Sequence, residues 1–393
     1  MLLAPVEEKM WERSPSKSRT KKMSDAEINE RYESKEKRIL TEINREKLPS
    51  FAEALKKTGY MNLRPFYQRR SRWDAKMQSR LIESFLINIP VPPIILFEKD
   101  YNSYEVMDGQ QRISAIQDFY DNNLLLTGLE LWTELNGRTY DNLPEKIRAG
   151  IDRRSISSIV IMAESTSDPE EALFLKQKTF ERLNAGGVDL SQQEVRNCLY
   201  YGKFNLLLLE LARFPIFAEA WGIPIDEKSP ELLENNFYKK MEDAELILRF
   251  FALRNVDHFR NGLEGFLDLY MMKSVKFSDE DINVLRDIFL ATIKLAKEIY
   301  GEHLFKPFEP QSGTWKKNSY KAYYDAVMVG LSRHLSKEKV LIERKHQVIQ
   351  ETKALFDKDK NESSLLTGGG KSKNDIQKRI SIFNEMLLQV LGE

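Results

Sequence analysis

Tyr104-Glu-Val-Met-Asp108-Gly109-Gln110-Gln111-Arg112-Ile-Ser114-Ala115 is the stretch from which the rest of the chain is read. A short strand pattern runs into Asp108-Gly109, and Ile113, Ile116, Phe119 and Tyr120 then follow at helical spacing. A glycine at such a junction lets backbone approach a ligand closely. The new helix offers unsatisfied amides and the positive end of its dipole, which suits an anion such as phosphate. Arg112 adds a planar cation that can fork onto phosphate oxygens. Asp108 is placed to orient a metal-bound water or to hold a neighbouring arginine, while Gln110 and Gln111 supply uncharged donors and acceptors. The same residues are equally a tight turn with a solvated polar tip.

Outward from this junction the period of the sequence changes twice. Ile94 to Phe97 and Ile156 to Met162 read as further strands, and Asp100-Tyr-Asn-Ser as a hairpin turn into Tyr104. Trp73 to Leu86 carries apolar residues at helical spacing and is stopped by Ile89-Pro-Val-Pro-Pro. From Ser167-Asp-Pro-Glu onward the pattern is helical, over 192 to 202, 204 to 213, 241 to 254, 280 to 299, 318 to 334, 336 to 356 and 373 to 391. Residues 1–48 are polar. Arg13 to Lys22 reads as a disordered basic arm, and 25 to 47 as a charged helix opened by the Ser24/Glu27 capping box. The expected fold class is therefore α+β. The arm and helix of residues 1–48 precede a small mixed-sheet domain over 49–165 and a larger all-helical domain over 166–393.

Composition narrows the function. The 393 residues hold 60 Lys+Arg and 60 Asp+Glu, a net charge of zero that argues against a uniformly basic nucleic-acid coat. The single cysteine, Cys198, rules out a disulfide framework and a multi-thiolate zinc site, and reads as a small core residue. The four histidines form no H-E-x-x-H pattern, which counts against a His-rich metal site or an HNH-type nuclease centre. The opening Met-Leu-Leu-Ala-Pro is too short for an apolar leader, and no stretch approaches the roughly 18 apolar residues that span a bilayer. A cytoplasmic protein without a membrane partner is expected.

Two further segments carry chemistry. Between Arg64 and Arg80 there are six Lys/Arg (Arg64, Arg69, Arg70, Arg72, Lys76, Arg80) against Asp74 alone, interleaved with Phe66, Tyr67 and Trp73. That mixture suits phosphate contact with base stacking, and also an exposed basic helix start. Thr179-Phe180-Glu181-Arg182-Leu183-Asn184-Ala185-Gly186-Gly187 ends one helix, and Ser191 with Glu194 caps the next. Capping accounts for all of this except Arg182, which with Asn184 is placed to close over a ligand. Two patterns read as decoys. Gly368-Gly-Gly-Lys371-Ser372 lacks the P-loop glycine at position 365 and reads as a flexible loop with a helix start. Glu245 and Arg249 share a helix face at i, i+4 and read as an internal ion pair, with Asp243 a weaker metal candidate.

Taken together, Gln68-Arg69 with Trp73, Ile89-Pro-Val-Pro-Pro-Ile-Ile-Leu, Asp108 to Arg112, and Phe180-x-Arg182-Leu183-Asn184 with Glu194-x-Arg196 resemble the N-terminal domain family of GmrSD-type restriction endonucleases, within the ParB/sulfiredoxin-like proteins. Gly109-x-x-Arg112-x-x-Ala115 is similar to the phosphate signature of ParB-like domains. The resemblance implies an antiphage, restriction-type component that binds and hydrolyses nucleoside triphosphate with Mg²⁺, senses DNA, including modified phage DNA, and controls a nuclease. Carried over by position, Asp108, Gln111 and Arg112 are the catalytic candidates. Gln68, Arg69, Gly109, Gln110, Ser114, Arg182 and Asn184 bind nucleotide or phosphate, and Arg64, Arg70 and Arg72 contact DNA. Full-length relatives carry an HNH-like nuclease domain that this sequence does not show, so a separate nuclease or other defence subunit is the expected partner. The alternatives are a non-catalytic adaptor that recruits a nuclease, and a ParB-like nickase in its own right.

Overall fold

The computed structural model describes residues 3–12, 24–33, 40–62, 73–100, 103–162, 179, 191–358, 360–370 and 372–393. The chain divides into two compact units, Ser18–Leu190 and Met1–Lys17 with Ser191–Glu393. The class is α+β, as the change of period predicts. Among the described residues no helix is long and apolar enough to cross a membrane.

The first unit is built on a five-stranded mixed sheet of order β1-β5-β3-β4-β2, with β1 Thr41–Lys47, β2 Met61–Asn62, β3 Ile94–Asp100, β4 Ser103–Asp108 and β5 Ser155–Met162. β3 and β4 pair as the expected antiparallel hairpin, and β5 runs parallel to β3. Helices α3 (Leu48–Leu55), α4 (Ala75–Ile87), α5 (Gln110–Tyr120) and α6 (Glu145–Asp152) supply the remaining core, in which Ile113, Ala115, Ile116 and Phe119 of α5 are wholly buried. α4 begins on Asp74, whose carboxylate accepts from the Met77 amide at 2.7 Å, and stops at Asn88 in the left-handed region.

The charged helix expected over 25–47 is a correction. Helix α2 spans only Asp25–Glu33, and Thr41–Lys47 is an edge strand antiparallel to β5. Its burial pattern is almost entirely exposed, so no apolar alternation marks it. Pairing with the buried β5 overrides its local propensity, while its charges protect the free edge.

A carboxylate also shapes the loop after α5. Glu83 of α4, only 6 % exposed, accepts from the amides of Glu130, Leu131 and Trp132 at 2.8–3.1 Å. Burial works to raise its pKa, but the three amides and Arg80 outweigh it and hold the carboxyl below its ordinary value.

In the second unit the helices Glu242–Arg254 and Lys321–Ser332 are buried on every side from Asp243 and Ala322 onward, Glu245 excepted, as expected of a domain's central helices. The long helices Asp279–Tyr300 and Lys373–Leu391 pack against the second of these. A Cβ at Gly330 would lie 2.6 Å from the Phe383 ring, so glycine is needed for that close approach. The pattern over 336–356 resolves into two helices, Glu338–Glu343 and Lys345–Lys358.

Two sequence expectations change here. Glu245 and Arg249 do not pair with one another. Arg249 reaches Asp325, with Nε 3.1 Å from Oδ1, and Glu245 accepts from Arg196 at 3.2 Å. The glycine loop is held rather than loose: Arg379 donates to the carbonyls of Leu365 (2.7 Å) and Gly370 (3.2 Å), and Ser372 caps the following helix.

The N-terminal residues belong to this unit. Helix α1 (Pro5–Lys9) carries Glu7, wholly buried, which accepts from Arg254 (3.0 Å), Asn255 (2.9 Å) and Tyr270 (3.2 Å). Trp11 donates to Asn255 at 2.9 Å and stacks on His258 at 4.6 Å. The polar lead read from the sequence is thus, over residues 3–12, anchored by the buried Ala4, Glu7 and Trp11, because an acid and a tryptophan find distant partners that composition cannot show.

Two stability measurements check these contacts. Glu83→Ala is expected to destabilise the sheet unit by about 2 kcal/mol in urea titration at pH 7. Because the folded pKa of Glu83 is depressed, its contribution is present above the ordinary value near 4.5 and is lost as pH falls through the folded value, so wild type and variant converge in acid. Glu7→Ala, which leaves Arg254 buried beside an empty position, is expected to cost about 3–5 kcal/mol in the helical unit; a cost near zero would contradict the buried pair.

Candidate functional site

β4 delivers Asp108 to the end of the sheet, and α5 begins two residues later. Gly109 between them is the N-cap of α5, with φ 94° and ψ 9°. A Cβ there would lie 2.5 Å from Cγ2 of Ile94 and 3.0 Å from the Arg112 guanidinium. Glycine is therefore required by the turn's own packing against β3, a stronger reason than the ligand approach that the sequence implied.

The helix starts without a side-chain cap at Gly109, whose carbonyl accepts from the Ile113 amide at 2.9 Å. Arg112 folds back over the turn. One guanidinium nitrogen donates to Asp108 Oδ2 at 2.6 Å and to the Pro93 carbonyl at 3.3 Å. Its Nε is buried without a hydrogen bond, and the side chain is 15 % exposed against 27 % for Asp108. Asp108 thus takes the second of the roles open to it, holding an arginine. Gln111 accepts from the Trp73 backbone amide at 3.1 Å, which fastens the segment before α4 to the turn. Gln110 heads the helix, and Ser114, half-buried, follows one turn later on the same side.

Asp108, Gly109, Gln110, Gln111, Arg112 and Ser114 are thus brought together. Gln68, Arg69, Arg64, Arg70, Arg72, Arg182 and Asn184 lie outside the described residues. The contributions of Pro93 and Trp73 come from their backbones, which no side-chain pattern signals. The donor set fits a phosphate: amides at a helix start, a guanidinium and two carboxamides. It fits a bare divalent cation poorly, because Asp108, the turn's carboxylate, is already engaged by Arg112. Mg²⁺, which typically binds through one or two carboxylates plus substrate phosphates, fits here only as part of a bound polyphosphate. Among the described residues no group of three or more His, Cys, Asp or Glu is arranged to hold a metal ion.

The helical unit has its own polar centre. Arg196, 1 % exposed, donates to Asp268 at 2.7 Å, Glu245 at 3.2 Å and Glu264. Burial pulls its pKa down, but Asp268, Glu264 and Glu245 outweigh this and raise it. Ser191 and Glu194 form the capping box that the sequence predicts. Asp243 is wholly buried and accepts from the Ala244 amide through Oδ1.

Gly109→Ala places a side chain in the left-handed region and against Ile94. A loss of at least about 2 kcal/mol in chemical denaturation is expected. An unchanged midpoint would mean that the turn relaxes freely.

No curated protein and no solved structure matches the chain. One family does: residues 51–201 match the GmrSD restriction endonuclease, N-terminal domain. That segment contains Gln68-Arg69 with Trp73, Ile89 to Leu96, Asp108 to Arg112, and Phe180 to Asn184 with Glu194-x-Arg196, the positions that carry the resemblance in the sequence. Residues 51–201, less than half of the chain, are thus similar to the GmrSD restriction endonuclease, N-terminal domain.

Proposed function

We propose that this protein is a component of a restriction-type antiphage system that binds and hydrolyses nucleoside triphosphate and senses DNA, thereby controlling a nuclease on a separate subunit. The observation that carries this reading is the coincidence of the family match over residues 51–201 with a glycine-dependent turn presenting helix amides, Gln110, Gln111 and Arg112 at one end of the sheet. The turn would hold the phosphates, and Arg112 would offset the charge that spreads over the transferred phosphoryl oxygens. Gln111 would position the attacking water, and Mg²⁺ would enter with the triphosphate. Gln68, Arg69, Arg182 and Asn184 would complete the nucleotide site, and Arg64, Arg70 and Arg72 would contact DNA phosphates.

A second reading has its own support. Arg112 is already committed to Asp108 and the Pro93 carbonyl, so its charge is largely compensated. That favours a non-catalytic adaptor whose turn binds nucleotide or DNA phosphate without chemistry.

Phosphate release with each of the four nucleoside triphosphates, with and without DNA, separates the two. Under the hydrolytic reading Arg112→Ala lowers turnover by at least about 100-fold, while circular dichroism retains the wild-type helix content. Unchanged turnover in a folded Arg112→Ala protein sinks the catalytic assignment. Binding without any phosphate release favours the adaptor.

A further inference from the structure

The sheet unit contains a cavity of ≈260 Å³. A cavity of about 150 Å³ already accepts benzene, so this space suits one ring or two fused rings. No residue of the Asp108–Arg112 turn lines it. Its floor is apolar, formed by Phe51 of α3, Ile94 and Leu96 of β3, and Ile156 and Val160 of β5. The strand register sets Asn44 opposite Ser158, Glu46 opposite Ile156 and Ser158 beside Ile94, so the pleat turns a polar strip to the same face as the floor. The rings of Tyr60 and Tyr104 add an aromatic corner, 5.6 Å between centroids and 79° between planes.

The polar lining offers both halves of a hydrogen bond and no net charge. Arg45, exposed, and Glu46, half-buried, bring opposite charges to it. A ligand of either sign would meet one like charge and lose its own hydration, so an uncharged one is favoured. Asn44 supplies a donor and an acceptor in one carboxamide, Ser158 and Tyr60 supply hydroxyls, and Glu46 accepts. No side-chain hydrogen bond or ion pair to another described residue engages any of these four. A purely apolar ligand would cover them and leave them unsatisfied. A ligand without flat apolar faces would match neither the floor nor the aromatic corner.

We propose that this cavity is a binding site for an uncharged nucleobase, whose ring lies against the apolar floor and the Tyr60–Tyr104 corner while its edge hydrogen-bonds to Asn44, Ser158 and Glu46. Planar heterocycles of this class combine two apolar faces with alternating donors and acceptors around one edge, and stack on aromatic side chains. A free nucleoside and an unstacked base of a nucleic-acid strand present the same chemistry.

The test titrates adenosine, cytidine, guanosine and thymidine calorimetrically into the full chain, with benzyl alcohol as a ring that lacks the donors and acceptors of a base. None of these probes carries phosphate, so failure here leaves the reading of the Asp108–Arg112 turn standing, and failure there leaves this one. Saturable binding of at least one nucleoside, at least about tenfold tighter than benzyl alcohol, is expected. Asn44→Ala, on an exposed edge strand, should weaken that nucleoside about fivefold and leave benzyl alcohol unchanged. Tyr60→Leu keeps an apolar wall and removes the ring face, and should weaken the nucleoside about tenfold. Thermal melts establish that both variants fold. A single-stranded oligonucleotide of the same base that binds more tightly than the nucleoside, and loses that gain in Tyr60→Leu, identifies a strand as the source of the base; any other result identifies the free nucleoside. No saturable nucleoside binding, affinity equal to that of benzyl alcohol, or wild-type affinity in both folded variants would each overturn the proposal.

Discussion

Asp325 sits wholly buried between two arginines, and the helical unit is organised around that contact. Arg249 donates to it from the helix Glu242–Arg254, and Arg379 donates to it at 3.2 Å from Lys373–Leu391. One anion between two cations leaves an excess positive charge in the interior. The structure disperses it: Arg379 spends its other donors on the carbonyls of Leu365 and Gly370, while Glu245 and Glu264 act on Arg249 from a distance. Removing Asp325 would leave both guanidinium groups buried without their counter-ion, a far larger penalty than losing one surface pair. The triad also fixes which faces of three helices meet, since apolar packing alone tolerates sliding and a forked guanidinium does not.

The sheet unit follows a different rule. Its candidate site is positioned by backbone geometry, with side-chain charge secondary. Gly109 permits a left-handed residue between β4 and α5, Ile94 fills the space that a Cβ would occupy, and Arg112 is tied to both Asp108 and the strand leading into β3. Polar groups there are preorganised by the hairpin and the helix start, so a phosphate would meet donors already fixed in place. Charge is also segregated along the sequence. A neutral chain places six bases against one acid over Arg64 to Arg80, and seven acids against three bases over Asp226 to Glu245.

What could be read beforehand depends on whether the deciding interaction is local. The three strands Ile94 to Phe97, Tyr104 to Met107 and Ile156 to Met162 were legible because their apolar runs are bounded by turns and prolines. The D-G-Q-Q-R turn was legible because its chemistry lies within five residues. β1 was not, since Thr41–Lys47 is charged and exposed and exists only through pairing with a strand more than a hundred residues away. The pairing of Glu245 and Arg249 was misread for a related reason. Spacing of i, i+4 predicts an internal pair on a solvated helix, but a helix buried all round turns its charges towards its neighbours. The carbonyl of Pro93 and the amide of Trp73 were invisible because every residue but proline has both groups.

The burial of Glu7 has a consequence for biosynthesis. Its partner Arg254 lies 247 residues later in the chain. At about 5–20 residues per second, roughly 12–50 s of translation separate the emergence of the two. During that interval Trp11 and the acid it flanks have no native partner, while the whole sheet unit is synthesised between them. The helical unit therefore cannot complete these contacts before its insert has been synthesised, and Trp11 has no native partner until the ribosome has delivered Asn255 and His258.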